Sequence, residues 1–130
     1  MPKQRAPPAI IRKVGFDFHW SSKKVWELDV PVTEMRLKEL EWHFKIPFWD
    51  TRRGWYDLTP NQVMARQKAH KTEFGRIMKS DLKHPIDIMR NRGRWLILDG
   101  LHRLAKARII GLEMVQVRRI PRSAIPKILK

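Results

Sequence analysis

The chain has 130 residues, with 28 Lys and Arg against 13 Asp and Glu, and a formal net charge of +15. That length holds one hydrophobic core and is short for two. The absence of cysteine excludes disulfides, thiolate metal sites and cysteine nucleophiles, and no apolar run approaches the ~18 residues that a membrane span needs.

The basic start, Met1 to Pro8, has no apolar stretch behind it of the kind a secretory signal carries. These features predict a cytoplasmic protein with no membrane partner. The positive charge favours ligands that carry phosphate, from nucleotides to polyanions.

In chain order, residues 1–13 are rich in proline and basic groups and are expected to form a flexible basic arm. Residues 14–130 are expected to form a single domain. Phe16, Phe18 and Trp20 fit a short strand or a packed loop. Residues 25–32 alternate apolar and polar side chains and predict a half-buried strand. Thr33 then caps a short helix with Leu37, Leu40, Trp42 and Phe44 on its apolar side, ended by Pro47. Residues 48–57 read as an aromatic loop. Thr59-Pro60-Asn61-Gln62 is a helix start with Thr as N-cap, Pro at the first position and Gln closing a capping box. The apolar residues Val63 and Met64, then Phe74, Ile77 and Met78, are separated by a polar stretch and predict two short helices. Residues 85–90, a turn at 91–94 and residues 95–98 predict a hairpin. A helix follows from Leu101 to Ile110, with Leu104, Ala105, Ala107 and Ile109 toward the core and Gly111 as C-cap. Residues 113–118 alternate as a last strand, and the tail from Pro121 reads as a weak helix or an extended strap.

The junction at Asp99-Gly100-Leu101-His102-Arg103 carries the chemistry. A strand ends in Asp-Gly and a helix begins at once, with His and Arg in its first turn. A helix N-terminus presents unpaired N–H groups and a partial positive charge, and glycine lets an anion approach the backbone closely. His102 and Arg103 add donors aimed at the same point. Cationic residues in a first turn oppose the helix dipole and so call for an anionic partner, either a bound phosphate or a nearby carboxylate. Asp99 either caps the turn through its side chain or serves as a catalytic or Mg²⁺-binding carboxylate.

This unit, together with Pro85-Ile86-Asp87-Ile88 before the hairpin, Gly111 after the helix, and Val115 and Val117 in the last strand, resembles the ParB N-terminal-like, or ParB/sulfiredoxin, superfamily. Leu28-Asp29-Val30-Pro31-Val32 looks like that family's first strand, and residues 49–83 stand as an insertion. The resemblance implies a small mixed sheet flanked by helices, in the α/β class. It also implies a nucleoside triphosphate, ATP or CTP, held with Mg²⁺ by Gly100, Leu101, His102 and Arg103, with Asp99 as metal ligand. Kinase-like members place a catalytic glutamate after the first strand, which points to Glu34 beside Asp99 and His102 as candidate catalytic groups. Without cysteine, the usual sulfiredoxin chemistry is excluded.

The expected function is therefore nucleotide binding, with phosphoryl transfer or nucleotide hydrolysis as the reactions such a site serves. The alternative is a DNA- or RNA-binding module, with or without nuclease activity, in which Arg90, Arg92, Arg94, Arg118, Arg119 and Arg122 form one basic edge. Phe48, Trp49, Trp55 and Tyr56 either fill a satellite core or stack a base, with Arg52 and Arg53 near phosphate. Asp50 and Asp57 flank that loop without metal-ligand spacing, and the scattered histidines form no metal motif.

Overall fold

The computed structural model describes residues 7–51 and 53–130. The alternating segments become four strands among them: β1 (Val32–Arg36), β2 (Ile86–Asn91), β3 (Arg94–Asp99) and β4 (Met114–Arg119). They form one mixed sheet in the order β1-β4-β2-β3. β2 and β3 are an antiparallel hairpin. Its turn residues, Arg92 and Gly93, both have positive φ (51° and 82°), as a two-residue turn matched to strand twist requires. β1 and β4 are antiparallel, and β2 and β4 are parallel. Helix α5 (Leu101–Ile109) carries the chain from β3 across β2 to β4.

Side-chain alternation gives the sheet two buried faces. On one, Met35, Ile86, Ile88, Val115 and Val117 meet Leu104, Ala105 and Ala107 of α5, Val63 of α3 (Pro60–Ala65) and Ile77 of α4 (Lys71–Lys79). On the other, Met89 and Leu98 meet Val25 of α2 (Ser22–Trp26), Ile128 of α6 (Ile125–Ile128), and the rings of Phe16, Phe18 and Trp20. The chain is thus a small mixed α/β domain with helices on both sides of its sheet.

Local rules account for the helix ends. Thr59 and Gln62 make the reciprocal capping box that starts α3. α5 ends in a Schellman motif: Gly111 at φ +83° donates to Arg108 O and Leu112 donates to Ala107 O at 2.9 Å. The segment expected as an insertion builds core, since Trp49, Leu58, Val63 and Ile77 are all buried.

Two expectations shift. Residues 25–32 do not form the first strand. Ser21 caps α2 by accepting from Lys24 N, and Val25 and Leu28 face the second core at helical spacing. The strand begins at Val32, so Thr33, expected to cap a helix, pairs with Val117 instead. The apolar side read there as a helix lies in two 3₁₀ turns, Leu37–Glu39 and Glu41–Lys45. Residues 1–6 of the expected arm lie outside the described residues. Residues from Ala9 to Val14 form a helix, α1, which Arg92 and Asn91 hold through the carbonyls of Arg12, Lys13, Val14 and Gly15.

A buried ion pair joins these layers. Arg118 Nε donates to Asp87 Oδ1 at 2.7 Å, and both side chains are nearly excluded from solvent. The same guanidinium donates to Leu28 O (2.7 Å), just past the end of α2, and to Val25 O (2.8 Å), which also accepts from Leu28 N at 3.1 Å. Burial raises the Asp87 carboxyl above its ordinary range against the pull of Arg118. Removing one member leaves the other charge buried and unpaired. Asp87→Ala is therefore expected to lower the unfolding free energy by about 3–5 kcal/mol, measured by urea denaturation. A loss below about 1 kcal/mol would show that the pair is not a structural element.

His43 fastens the outer edge of the sheet. Its Nδ1 bonds Leu40 O at 2.7 Å, and its Nε2 accepts from Ile97 N of edge strand β3 at 3.1 Å. Both ring nitrogens are used by a neutral imidazole with its proton on Nδ1. Burial pushes the ring down to about 4 from 6.5, opposed by the Leu40 bond and aided by Arg94. The unfolded chain therefore takes up a proton before the folded one. The stability this contributes is fully present above pH 6.5 and is lost as the pH falls toward 4. It amounts to roughly 3 kcal/mol. NMR should find the His43 ring still neutral at pH 5, and a midpoint near the ordinary histidine value would refute this placement.

Candidate functional site at the start of helix α5

The last residue of β3 and the first turn of α5 bring Asp99, Gly100, Leu101, His102 and Arg103 together, as their order in the chain requires. Gly100 is the N-cap, at φ +116° and ψ 17°, and no side chain caps the helix. Its first-turn N–H groups are thus left without a side-chain acceptor among the described residues. A Cβ at Gly100 would lie 2.9 Å from Arg103 Nη2, 3.2 Å from Arg103 Nε and 3.2 Å from the Ile86 Cα. Glycine is needed both for the backbone angle and for the guanidinium that lies against it.

The two basic side chains of the first turn have carboxylate partners within the protein. Arg103 Nη2 lies 3.1 Å from Asp99 Oδ2. The same oxygen accepts from Trp26 Nε1 of α2 at 2.7 Å. Arg103 Nε is buried with no hydrogen-bond partner among the described residues. His102 Nε2 lies 2.9 Å from Glu73 Oε2 of α4, and the ring stacks on Trp49 at 4.5 Å and 16°. Glu73 also takes Arg76 at 2.8 Å.

Two cavities adjoin the junction. One, of about 420 Å³, has Asp99, Gly100, Leu101 and His102 along one side and Phe16, Phe18, Trp20, Phe48, Trp49 and Tyr56 around it. The second, of about 380 Å³, is lined by Trp26, His84, Pro85, Asp87, Arg103 and Arg118. Arg103 thus lines a different cavity from His102, with its guanidinium packed back on Gly100. Trp49 is buried and so fills core as well as bounding the first cavity.

The remaining candidates are placed as follows. Glu34 is exposed on edge strand β1, opposite Gln116, and lines neither cavity. It is three strands from Asp99 in the sheet order, or roughly 14 Å at about 4.8 Å per strand. Asp99 is the one expected metal ligand, and no group of three or more acidic or histidine ligands occurs among the described residues. Asp50 and Asp57 stabilise their own loop: Asp50 accepts from Tyr56 N, and Asp57 accepts from Thr51. Hydrogen bonding to Thr51 holds the Asp57 carboxyl below its usual range, although desolvation acts the other way. Arg52 lies outside the described residues. Arg118, expected on a basic edge, is buried in the pair with Asp87.

Trp26, Glu73 and Asp87 were not among the expected site residues. Trp26 and Asp87 sit within alternating stretches and read there as ordinary strand positions. Glu73 is the lone acid between Arg66 and Arg76, and that isolation is the mark that could have singled it out.

Gly100→Ala places an L-residue at φ +116° and pushes on Arg103. It is expected to cost roughly 1–3 kcal/mol in urea denaturation, and an unchanged midpoint would mean that the junction relaxes freely. In comparisons with known proteins, no family model, no curated protein and no solved structure matches this chain.

Proposed function

We propose that this protein binds a nucleoside triphosphate, ATP or CTP, with its phosphates at the start of α5 and its base in the adjoining aromatic cavity. The observation that carries this reading is the uncapped helix start at Gly100, opening beside a cavity of about 420 Å³ bounded by six aromatic rings. Unpaired N–H groups at the positive end of a nine-residue helix suit phosphate oxygens. Aromatic walls suit a base, because every base has a π-face. The resemblance of the Asp-Gly-x-His-Arg junction to the ParB/sulfiredoxin superfamily supports the same assignment.

The internal carboxylate contacts define what binding must do. A phosphate at the first turn competes with Glu73 for His102 and with Asp99 for Arg103, while the unpartnered Arg103 Nε offers a further donor. Mg²⁺ fits here only in its usual nucleotide mode, with one carboxylate, Asp99, and the phosphates as its main ligands. Its contribution would be to neutralise phosphate charge. Phosphoryl transfer and nucleotide hydrolysis are the reactions such a site serves, because positioning and electrostatics dominate both. Glu34, on the far edge of the sheet, is not part of this arrangement.

Calorimetry with ATP, CTP and GTP in the presence of Mg²⁺ tests the reading. Saturable binding is expected in the native chain. Arg103→Ala is expected to weaken it by about tenfold or more, the loss of a charge-assisted contact. Glu73→Gln is expected to tighten it severalfold by releasing His102. No binding of any nucleotide, or binding indifferent to both changes, would overturn the proposal.

A further inference from the structure

The arginines of the β2–β3 hairpin and of the end of β4 beside it are held in a different way from those at the α5 junction. Arg76, Arg103, Arg108 and Arg118 each pair with a carboxylate. Arg90, Arg92, Arg94, Arg119 and Arg122 make no ion pair among the described residues, yet each is fixed in place. Arg92 Nη1 donates to the carbonyls of Arg12 (2.7 Å) and Lys13 (2.5 Å). Arg122 Nη1 donates to Arg90 O at 2.8 Å. Arg90 and Arg119 lie over Trp95, at 5.3 and 5.7 Å from the ring centroid, and Arg94 lies over Trp42 at 4.6 Å. Arg119 also donates to Thr33.

A carbonyl or an indole face orders a guanidinium without cancelling its charge. Arg90 and Arg94 keep their in-plane N–H groups free for other acceptors, Arg92 and Arg122 each spend a single nitrogen, and Arg119 spends two, on Thr33 and on the Glu34 carbonyl. Arg90, Arg92 and Arg122 also line a shallow cavity of about 380 Å³ with Asn91 and Gly93, where Asp17 is the one acid. Arg92 holds φ +51° in a turn position that favours Asn, Asp or Gly. An arginine there accepts backbone strain at the tip of the hairpin, where its side chain is exposed.

We propose that this end of the sheet binds the phosphodiester backbone of a nucleic acid through Arg90, Arg92, Arg94, Arg119 and Arg122. Five preordered, unneutralised guanidiniums on a chain of net charge +15 are complementary to a row of phosphates. The faces of Trp95 and Trp42 are taken by arginine, so contacts fall on phosphates and recognition is largely indifferent to base sequence. The surface is apart from the phosphate end of the nucleotide pocket, since the hairpin turn and Asp99 are at opposite ends of β3, roughly 17 Å apart at about 3.3 Å per residue; the far side of the aromatic cavity, at Arg12 and Gly15, borders the segment that Arg92 and Asn91 hold.

The test is fluorescence anisotropy of the full chain with a short labelled DNA duplex, the single strand and the matching RNA, across a potassium chloride series. These three probes distinguish the source of the phosphates. The double variant Arg92→Glu/Arg122→Glu is compared with Lys79→Glu/Lys127→Glu, which makes the same charge change at exposed positions elsewhere. The hairpin variant is expected to lose affinity by tenfold or more and to flatten the slope of log affinity against log salt by roughly 2, one unit per phosphate contact. The control keeps the native slope.

Arg92 and Arg122 also donate to the backbone, so modification of the unaltered protein with the arginine reagent phenylglyoxal provides a measurement independent of folding. Nucleic acid should protect Arg90, Arg92, Arg94, Arg119 and Arg122 and leave Arg53 and Arg66 reactive. Equal losses in both variants, protection elsewhere, absence of binding, or displacement by ATP with Mg²⁺ would each overturn the proposal. Binding that survives Arg103→Ala supports it whatever the outcome for nucleotides.

Discussion

The Asp87–Arg118 pair is the constraint on which the architecture rests. It joins β2 to β4 at their parallel contact and closes the carbonyl end of α2 from inside the second core. Each role removes a cost that the other would leave. A short helix of five residues contributes little stability of its own, and the Leu28 carbonyl just past its end, left without the Arg118 donor, would add the cost of an unsatisfied polar group. A lone carboxylate in the sheet would be worse. Put together, the carboxylate and the carbonyls account for most of the donors of one guanidinium, and the layers cannot separate without exposing or orphaning them.

The neighbouring rung repeats the device less completely. Asp99 lies opposite Asp87 in the β2–β3 register, and Arg103 reaches back to Asp99 much as Arg118 reaches Asp87. There, however, the pair is partly exposed, one guanidinium nitrogen is without a partner, and the adjacent helix start is uncapped. Two ion pairs of like composition thus sit side by side, one saturated and one with bonding capacity left over. The unused donors at this helix N-terminus are the incompleteness on which the proposed binding role rests. Trp26, bonded to Asp99 from α2, ties the open pair to the helix whose end the closed pair holds.

Much of the fold was legible where local rules act alone. The hairpin, the capping box at Thr59 and Gln62, the glycine-ended helix α5 and the last strand all come from spacing and turn chemistry, which need no knowledge of distant partners. The first strand was misplaced because Val25, Leu28 and Val30 suit a strand as well as a short helix leading into a loop. The decision was made by Ser21 and by Arg118, 93 residues from Val25 in the chain. The start of α5 was legible as a place where basic side chains call for an anionic partner, a bound phosphate or a nearby carboxylate. Which carboxylate meets His102 was not legible, since Glu73 arrives from α4 through tertiary packing. Arg118 and Arg119 show the limit most plainly: adjacent in sequence, they point to opposite faces of β4, one into a buried pair and the other onto Trp95.

The distribution of arginine partners gives the large positive charge a spatial meaning. A surface coated for solubility mixes cations with acids, and exposed pairs such as Arg108–Glu41 fit that description. The hairpin departs from it. Its guanidiniums are ordered by carbonyls and indoles, so their side-chain entropy is already spent while their charge is intact. Ordering without neutralisation stabilises the free protein little, because like charges held near one another repel. It lowers the cost of meeting a polyanion, for which both the ordering and the repulsion become favourable terms on binding. Under the two proposals above, carbonyl- and indole-held arginines at one end of the sheet, and carboxylate-held basic side chains beside an uncapped helix at the other, are two ways of receiving phosphate. The first meets an extended row of charges, and the second meets a single group that must displace a resident carboxylate.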